Sequence, residues 1–358
     1  MRSEPLVSVV IPVLNGERTI ARTVGSVFEQ DYPNIEVVVV DDASTDSTRS
    51  ILESFGSRIH PIFVEKNRGT AGAYNLGVNA AKGEIVLLMA SDCCLAQPDY
   101  VTRAVGRLGQ DERLAGVCGR GVVLEPDKLS LVQRTFIIVN FLDVVEDGDD
   151  GVFEVAFFET RCDVMRMDAL REVGFWFEGL YNSTEDQDIS ARIRQRGYKL
   201  LQDNGLEFGL DFGQTEDTFF KIFKKQFQYA NGQAYIFIRY GLGHHLLSGG
   251  ESNRKSRIWQ RFFQIGLAPA TLFLGVATIA GAGVGWLLIA LLASRALYYW
   301  HRSRKTLRGV YRVLCAGTGV VCDLIYGSSF LSGLIMWALR RPGDVRLGRP
   351  VLEKRKNP

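Results

Sequence analysis

EVVVVDDASTDSTRS, residues 36–50, runs four valines straight into two aspartates and then into a cluster of Ala, Ser, Thr and Asp. A β-branched run bounded by turn formers predicts a central strand, buried on both faces and paired in parallel. Carboxylates at its C-terminal end stand where open α/β sheets bind ligands. One of Asp42, Ser44 and Asp46 is enough to cap the helix that follows. Capping explains one acid and leaves the second with another task.

Outward from this stretch, strand and helix patterns alternate as a βα-repeating sheet requires. Strands are expected at 6–12, 59–65 and 84–90, and helices at 19–30, about 47–55 and 71–81. Another helix follows Tyr100, after which the alternation becomes irregular. Strand-like FEVAFF (153–158), a short helix at 168–173 and the helix DQDISARIRQRG (186–197) come next. The fold class is therefore α/β. Neither a GxGxxG after the first strand, whose exit reads IPVLNGE, nor a GxxxxGK[ST] occurs, so dinucleotide and P-loop readings lose their main support.

The net charge of +2 hides a division. Residues 251–358 carry 17 Lys/Arg against 4 Asp/Glu, and the first 250 carry 25 against 36. An acidic domain followed by a basic part suggests a membrane or nucleic-acid partner. The 27 uncharged residues from Leu267 to Ala293 decide for the membrane, since roughly 20 suffice for a spanning helix. No nucleic-acid partner is expected. A second apolar region runs from about Gly309 to Leu339, broken by Asp323 and GSS at 327–329. Basic clusters flank both regions and belong on the cytoplasmic side. Splitting the first region at GAGVG (281–285) gives a helical hairpin over about 262–300, with the third segment lying in the interface or re-entering. MRSEPLVSVVIP is too short and acidic for a signal peptide, so the first 250 residues are expected to stay cytosolic. Six cysteines without metal spacing read as free thiols. The expected location is the cell membrane, multi-pass, with a cytoplasmic catalytic domain.

VSVVIPVLNGERTIARTVGSVFEQDYPNIEVVVVDDASTDST resembles the opening of the family 2 glycosyltransferases, inverting enzymes of the GT-A fold. The similarity continues through NRGTAGAYNLGVNAAKGEIVLLMASD to TEDQDISARIRQRGYKL, covering roughly residues 6–203. It implies a Rossmann-like GT-A catalytic domain over 1–215, amphipathic linker helices over 216–258, a membrane region over 259–340 and a basic cytoplasmic tail over 341–358. It also implies transfer of a hexose-type sugar from a nucleotide-diphosphate donor to a lipid-linked (polyprenyl) or glycan acceptor.

In that family the strand-end carboxylate reads a nucleobase and ribose beside the first strand's exit. The resemblance thus assigns Pro12, Val13, Asn15 and Glu17 to one side of the nucleotide and Asp41 or Asp42 to the other, with Asp41 favoured. An ionised carboxylate accepts hydrogen bonds from imide N–H or ribose hydroxyls. Asn67, Gly69 and Asn75 match the family's spacing in the turn that opens a helix, where small residues and a helix N-terminus suit a diphosphate. Ser91 joins them at the fourth strand's end. There the family carries D-x-D, which holds Mg²⁺ or Mn²⁺; here Ala90 and Ser91 precede a single Asp92, so the metal is expected to bind weakly and mostly through the nucleotide. In TEDQD the resemblance implies Asp186 as the general base, with its pKa raised by neighbouring acids, and Glu185 and Asp188 as supporting or acceptor-binding residues.

Two other readings compete. A processive polysaccharide synthase usually carries Q-x-x-R-W, where this chain has QFQYANGQ (226–233). A non-catalytic nucleotide-sugar-binding scaffold is supported by the altered SDCC and opposed by the intact TEDQD.

Overall fold

The computed structural model describes residues 4–140, 151–180, 184–212, 217–247, 254–280 and 282–339. Strands β1 (Val7–Val13), β2 (Ile35–Asp41), β3 (His60–Phe63) and β4 (Ile85–Met89) lie parallel in the order β3-β2-β1-β4. Helices α1 (Ile20–Phe28), α2 (Thr48–Ser54) and α3 (Gly69–Ala80) fall between them in the chain.

The valine run is buried as a two-faced strand must be. Val37 and Val39 pack on one side with Val24 of α1 and Leu52 of α2. Val38 packs on the other with Val10 of β1 and Tyr74 and Val78 of α3. A Cβ on Gly77 would sit 2.3 Å from Val10 Cγ1, so a bare backbone here lets α3 lie flush on the sheet.

Beyond β4 the sheet turns mixed. Strand β8 (Cys162–Arg166) runs antiparallel to β4, and β6 (Leu114–Val123) antiparallel to β8. Next come β9 (Lys199–Leu210) and β5 (Cys93–Leu95), with β7 (Val152–Glu154) on β9. Helices α4 (Tyr100–Leu108), α5 (Leu131–Asn140), α6 (Met167–Val173) and α7 (Glu185–Gln195) complete this part. The alternation fades after Tyr100 because antiparallel pairing replaces the helical crossovers. FEVAFF supplies only the short β7.

Four helices follow: α8 (Phe219–Leu247), α9 (Arg254–Ile279), α10 (Gly285–Arg302) and α11 (Val310–Leu339). The backbone of α8 leaves helical geometry at Gly241 (φ 81°, ψ 174°). Tyr326, Phe330 and Trp337 of α11 pack on Ala230, Ala234 and Tyr235 of α8. Gly319 of α11 lies against the Tyr299 ring of α10, where a Cβ would approach to 2.3 Å. Small residues at a crossing let helices approach closely.

Among the described residues, α11 is the one helix long and apolar enough to cross a membrane; Ile265–Ile279 of α9 is apolar but shorter. A multi-pass arrangement built on a hairpin over about 262–300 is not supported. The third apolar region is structured throughout. It is one continuous helix of 30 residues, reaching about 45 Å at 1.5 Å per residue. Asp323 does not break it, because Arg295 of α10 donates to Asp323 Oδ2 at 2.6 and 2.8 Å and the Tyr299 hydroxyl donates to Oδ1 at 2.8 Å. The carboxylate meets its partners inside the bundle and needs no water. Elsewhere the helices expose Phe273, Val276, Ile279, Trp286, Ile289 and Leu297, each 58–88% accessible. The basic tail expected over 341–358 lies outside the described residues.

Both members of the Arg295–Asp323 pair are almost wholly buried. Removing one charge strands the other, which typically costs about 3–5 kcal/mol. Asp323→Ala should therefore lower the midpoint of thermal unfolding in detergent strongly, and Arg295→Met with Asp323→Leu should recover much of the loss. Equal melting of Asp323→Ala and wild type would refute this account of the bundle.

Candidate active site

The C-terminal edges of β1, β2 and β4 open onto one cleft of about 740 Å³. At the end of β2, Asp42 accepts hydrogen bonds from the backbone N–H of Arg68 (2.7 Å) and Gly69 (2.9 Å). The Asn67 side chain accepts from the same Gly69 N–H at 3.0 Å, and Gly69 takes φ +73°, which glycine adopts without strain. One carboxylate thus fixes the turn that opens α3.

The loop after β1 is laced to the loop after β2. Asn15 N–H donates to Ser44 Oγ at 2.8 Å and Thr45 N–H to Asn15 Oδ1 at 2.8 Å. Gly16 N–H reaches Thr48 Oγ1 at 2.8 Å, Glu17 N–H donates to Asp46 Oδ2 at 3.1 Å, and Ser47 N–H donates to Glu17 Oε2 at 3.1 Å across the same seam. Asn15 sits at φ 53°, a left-handed conformation that Asn tolerates. Short polar side chains that look like separate helix caps in the sequence hold two loops together as one wall.

Pro12, Val13, Asn15, Asp42, Asn67, Gly69, Ser91, Asp92, Glu185 and Asp186 all line this cleft. Asp41, Glu17, Asn75 and Asp188 do not. Asp41 and Asp42 are equally buried; Asp42 lines the cleft, whereas Asp41, with Oδ1 on the Ser44 N–H at 3.0 Å, does not. Asn75 is spent on structure; it accepts from Trp176 N–H and donates to Trp176 O and Glu178 Oε1, each at 3.0 Å. Glu17 belongs to the loop seam.

At the end of β4, Ala90 N–H donates to the Arg161 carbonyl at 2.8 Å, so Arg161 stands beside the strand end where the first acid of D-x-D is missing. Glu159 Oε2 holds the Arg161 guanidinium at 3.0 Å. Burial pushes the Asp92 carboxyl up, and the charges of Arg161 and Lys225 oppose that rise. Among the described residues no group of three His, Cys, Asp or Glu side chains could hold a metal ion. One carboxylate with a guanidinium beside it does not fit a resident divalent cation, which needs several oxygen donors.

The facing wall is the start of α7. Thr184 takes φ 60°, and Glu185 and Asp186 follow as the first helical residues. Burial, and after it the Glu185 charge, drives the Asp186 carboxyl well above the usual carboxylate range. Asp188 is fully buried and faces away from the cleft's lining. It accepts from Arg192 at 2.9 Å and from the hydroxyls of Tyr235 (3.0 Å) and Tyr240 (2.6 Å) of α8. Burial and then the Asp188 charge push both phenols up, so both remain protonated donors. Gln233 of α8 donates to Gln187 at 2.8 Å. These bonds lay α8 across the cleft, where Lys225, Gln226, Tyr229 and Gln233 form its roof and Tyr326 of α11 touches it.

Reading the sequence missed Glu159, Arg161 and this roof. The alternation of lysines and aromatics in α8 marks an amphipathic helix but does not say that one stripe covers a cleft. Residues 159–161 carry no motif at all.

Residues 8–174 match the family model for Glycosyl transferase family 2. The teichuronic acid biosynthesis glycosyltransferase TuaG of Bacillus subtilis, a putative assignment in its name, is 42% identical over 92 residues, 25% of this chain and 36% of that protein. The UDP-Glc:alpha-D-GlcNAc-diphosphoundecaprenol beta-1,3-glucosyltransferase WfgD of Escherichia coli is 41% identical over 88 residues, 24% of this chain and 35% of that protein. The chain thus spans about a third of the length of these curated relatives. Among solved structures, mannosyltransferase PcManGT from Pyrobaculum calidifontis, in complex with GDP-Man and Mn²⁺, superposes with a TM-score of 0.59 at 20% identity, covering 91% of this chain and 88% of that one. The mixed sheet, the cleft at its strand ends and the family match make residues 8–174 a family 2 glycosyltransferase domain of the GT-A fold.

Proposed function

We propose that the protein is an inverting glycosyltransferase of the hexosyltransferase type, moving a sugar from a nucleotide-diphosphate sugar to a lipid-linked (polyprenyl) or glycan acceptor at a membrane. Asp186 carries the reading: a carboxylate with a raised pKa, at a helix start, across one cleft from the strand ends of β1, β2 and β4. Its ionised form takes the acceptor hydroxyl proton as that oxygen attacks the anomeric carbon. The new C–O bond forms on the face opposite the leaving group. The old bond breaks with its electron pair going to the diphosphate, so configuration inverts. A raised pKa suits base catalysis near neutral pH.

The nucleoside is assigned to the wall of Pro12, Val13, Asn15 and Asp42, and the phosphates to the turn of Asn67 and Gly69 and the strand end at Ser91 and Asp92. Glu185 tunes Asp186. Asp188 positions the base-bearing helix, and an acceptor role for it does not suit its burial. The name of the E. coli relative pairs a UDP-sugar with a diphosphoundecaprenol acceptor, which supports these classes of donor and acceptor. Membrane attachment through α11 and the exposed apolar side chains of α9 and α10, with the catalytic domain cytoplasmic, is part of the same proposal. The direct test is to incubate the full chain in membranes with UDP-, GDP- and dTDP-sugars. A new glycolipid is the expected product, and neither transfer nor donor hydrolysis with any of them would sink the proposal.

Asp186→Asn should cut turnover by about 10² to 10⁴ while donor affinity stays within a few-fold of wild type. A variant keeping more than a tenth of the activity places the base elsewhere. The pH profile gives an independent check. A base with a raised pKa loses its ionised form as pH falls through that pKa, so the acid limb of kcat/KM should lie above the ordinary carboxylate range. Glu185→Gln removes the neighbouring charge that raises Asp186, so its acid limb should move to lower pH. A limb that stays put or moves upward contradicts the coupling.

A further inference from the structure

The strand end of β4 poses a charge problem that the metal motif does not solve here. A diphosphate leaving group builds up negative charge as its bond to the sugar breaks, and catalysis needs that charge stabilised. With Ala90 and Ser91 before it, Asp92 is the strand end's one carboxylate, and among the described residues no group of three His, Cys, Asp or Glu side chains could hold a metal ion.

The same corner holds two cations instead. Arg161 lies on the residue hydrogen-bonded to Ala90 across the strand end, and its side chain is 18% exposed. Glu159 fixes the guanidinium through Nε at 3.0 Å, and the Phe212 ring lies 5.9 Å from Cζ. Lys225 comes from the roof helix α8, half-buried, with Nζ 5.9 Å from the Tyr229 ring centroid. Both side chains line the cleft together with Asp92 and Asp186, and both are near enough to act on the Asp92 charge. A guanidinium held in place by a carboxylate and an aromatic ring is pre-organised for an oxyanion, and a lysine adds a mobile point charge.

We propose that Arg161 and Lys225 form a phosphate-binding clamp that neutralises the diphosphate of the nucleotide donor, taking over charge that D-x-D relatives place on a divalent cation. This rests on the glycosyltransferase reading above. It adds that donor binding persists without a divalent ion. The ligand chemistry is a phosphate or diphosphate anion. Contact with the β4 strand end assigns it to the donor, although the phosphate of a polyprenyl acceptor has the same chemistry.

Calorimetry on the full chain in detergent tests this, with UDP, GDP, uridine, guanosine and farnesyl phosphate as probes, each in excess EDTA and in Mg²⁺ or Mn²⁺. Wild type is expected to bind one of the two diphosphates in EDTA within about tenfold of its affinity with metal. Arg161→Gln and Lys225→Gln should each weaken that diphosphate by about tenfold or more, the usual worth of a charge-assisted hydrogen bond, and leave the matching nucleoside nearly unchanged. Arg161→Lys should recover part of the loss. Lys225→Gln, on the partly exposed face of α8, keeps the test open if Arg161→Gln does not fold. Diphosphate binding that vanishes in EDTA, or variants that bind it like wild type, overturns the clamp. Variants that lose farnesyl phosphate but keep UDP and GDP overturn its assignment to the donor. Failure of wild type to bind any nucleoside or nucleotide, with or without metal, strikes the glycosyltransferase reading itself.

Discussion

The cleft depends on Asp42, whose two carboxylate oxygens hold the N–H groups of Arg68 and Gly69. A β-strand leaves its last groups unpaired, and the turn into α3 leaves the first helical N–H groups unpaired. One carboxylate satisfies the second need while standing at the first. The direction of α3 follows, with Gly77 flush on Val10 and Asn75 reaching the backbone of Trp176. That last contact carries the alignment from the parallel half of the sheet to the segment before the acidic helix. Two facing walls of the cleft are thus tied to one strand end.

The opposite wall is fixed by a buried carboxylate. Asp188 is buried, and it is affordable there because Arg192, Tyr235 and Tyr240 all donate to it. A buried carboxylate needs partners on every side. Two of these come from α8, so the helix carrying Glu185 and Asp186 is bonded to the first helix of the C-terminal bundle. Tyr326 of α11 also lines the cleft. The bundle contains a second buried ion pair, Arg295 with Asp323, built by the same rule.

Two neighbouring acids in TEDQD therefore do opposite work. Asp186 has a raised pKa because burial penalises its charge and Glu185 adds repulsion. Asp188, two residues on, points to the other side of the helix, where donors surround it. Identical chemistry in sequence becomes a proposed base and a fastener, because a helix rotates successive side chains by about 100°.

Periodicity and punctuation by themselves determined the parallel half of this fold. Four valines between turn formers can only be buried on both faces, and β2, α3 and the start of α7 lie where that pattern and the TEDQD acids put them. The motifs also brought Asn15, Asn67, Gly69, Asp92 and Asp186 to notice, and all five line one cleft. Tertiary structure decided what period and spacing do not encode. Asp42 lines the cleft and Asp41 does not, while Asn75 and Glu17 hydrogen-bond to other parts of the chain outside its lining. Arg161 and Lys225 line the same cleft because α8 folds back over the sheet, which brings together segments about sixty residues apart and leaves no local signature. The bundle shows the same limit. Composition reads Asp323 as a break in an apolar stretch, yet α11 runs through it, since the cost of a buried charge is set by its partner, and Arg295 lies on another helix.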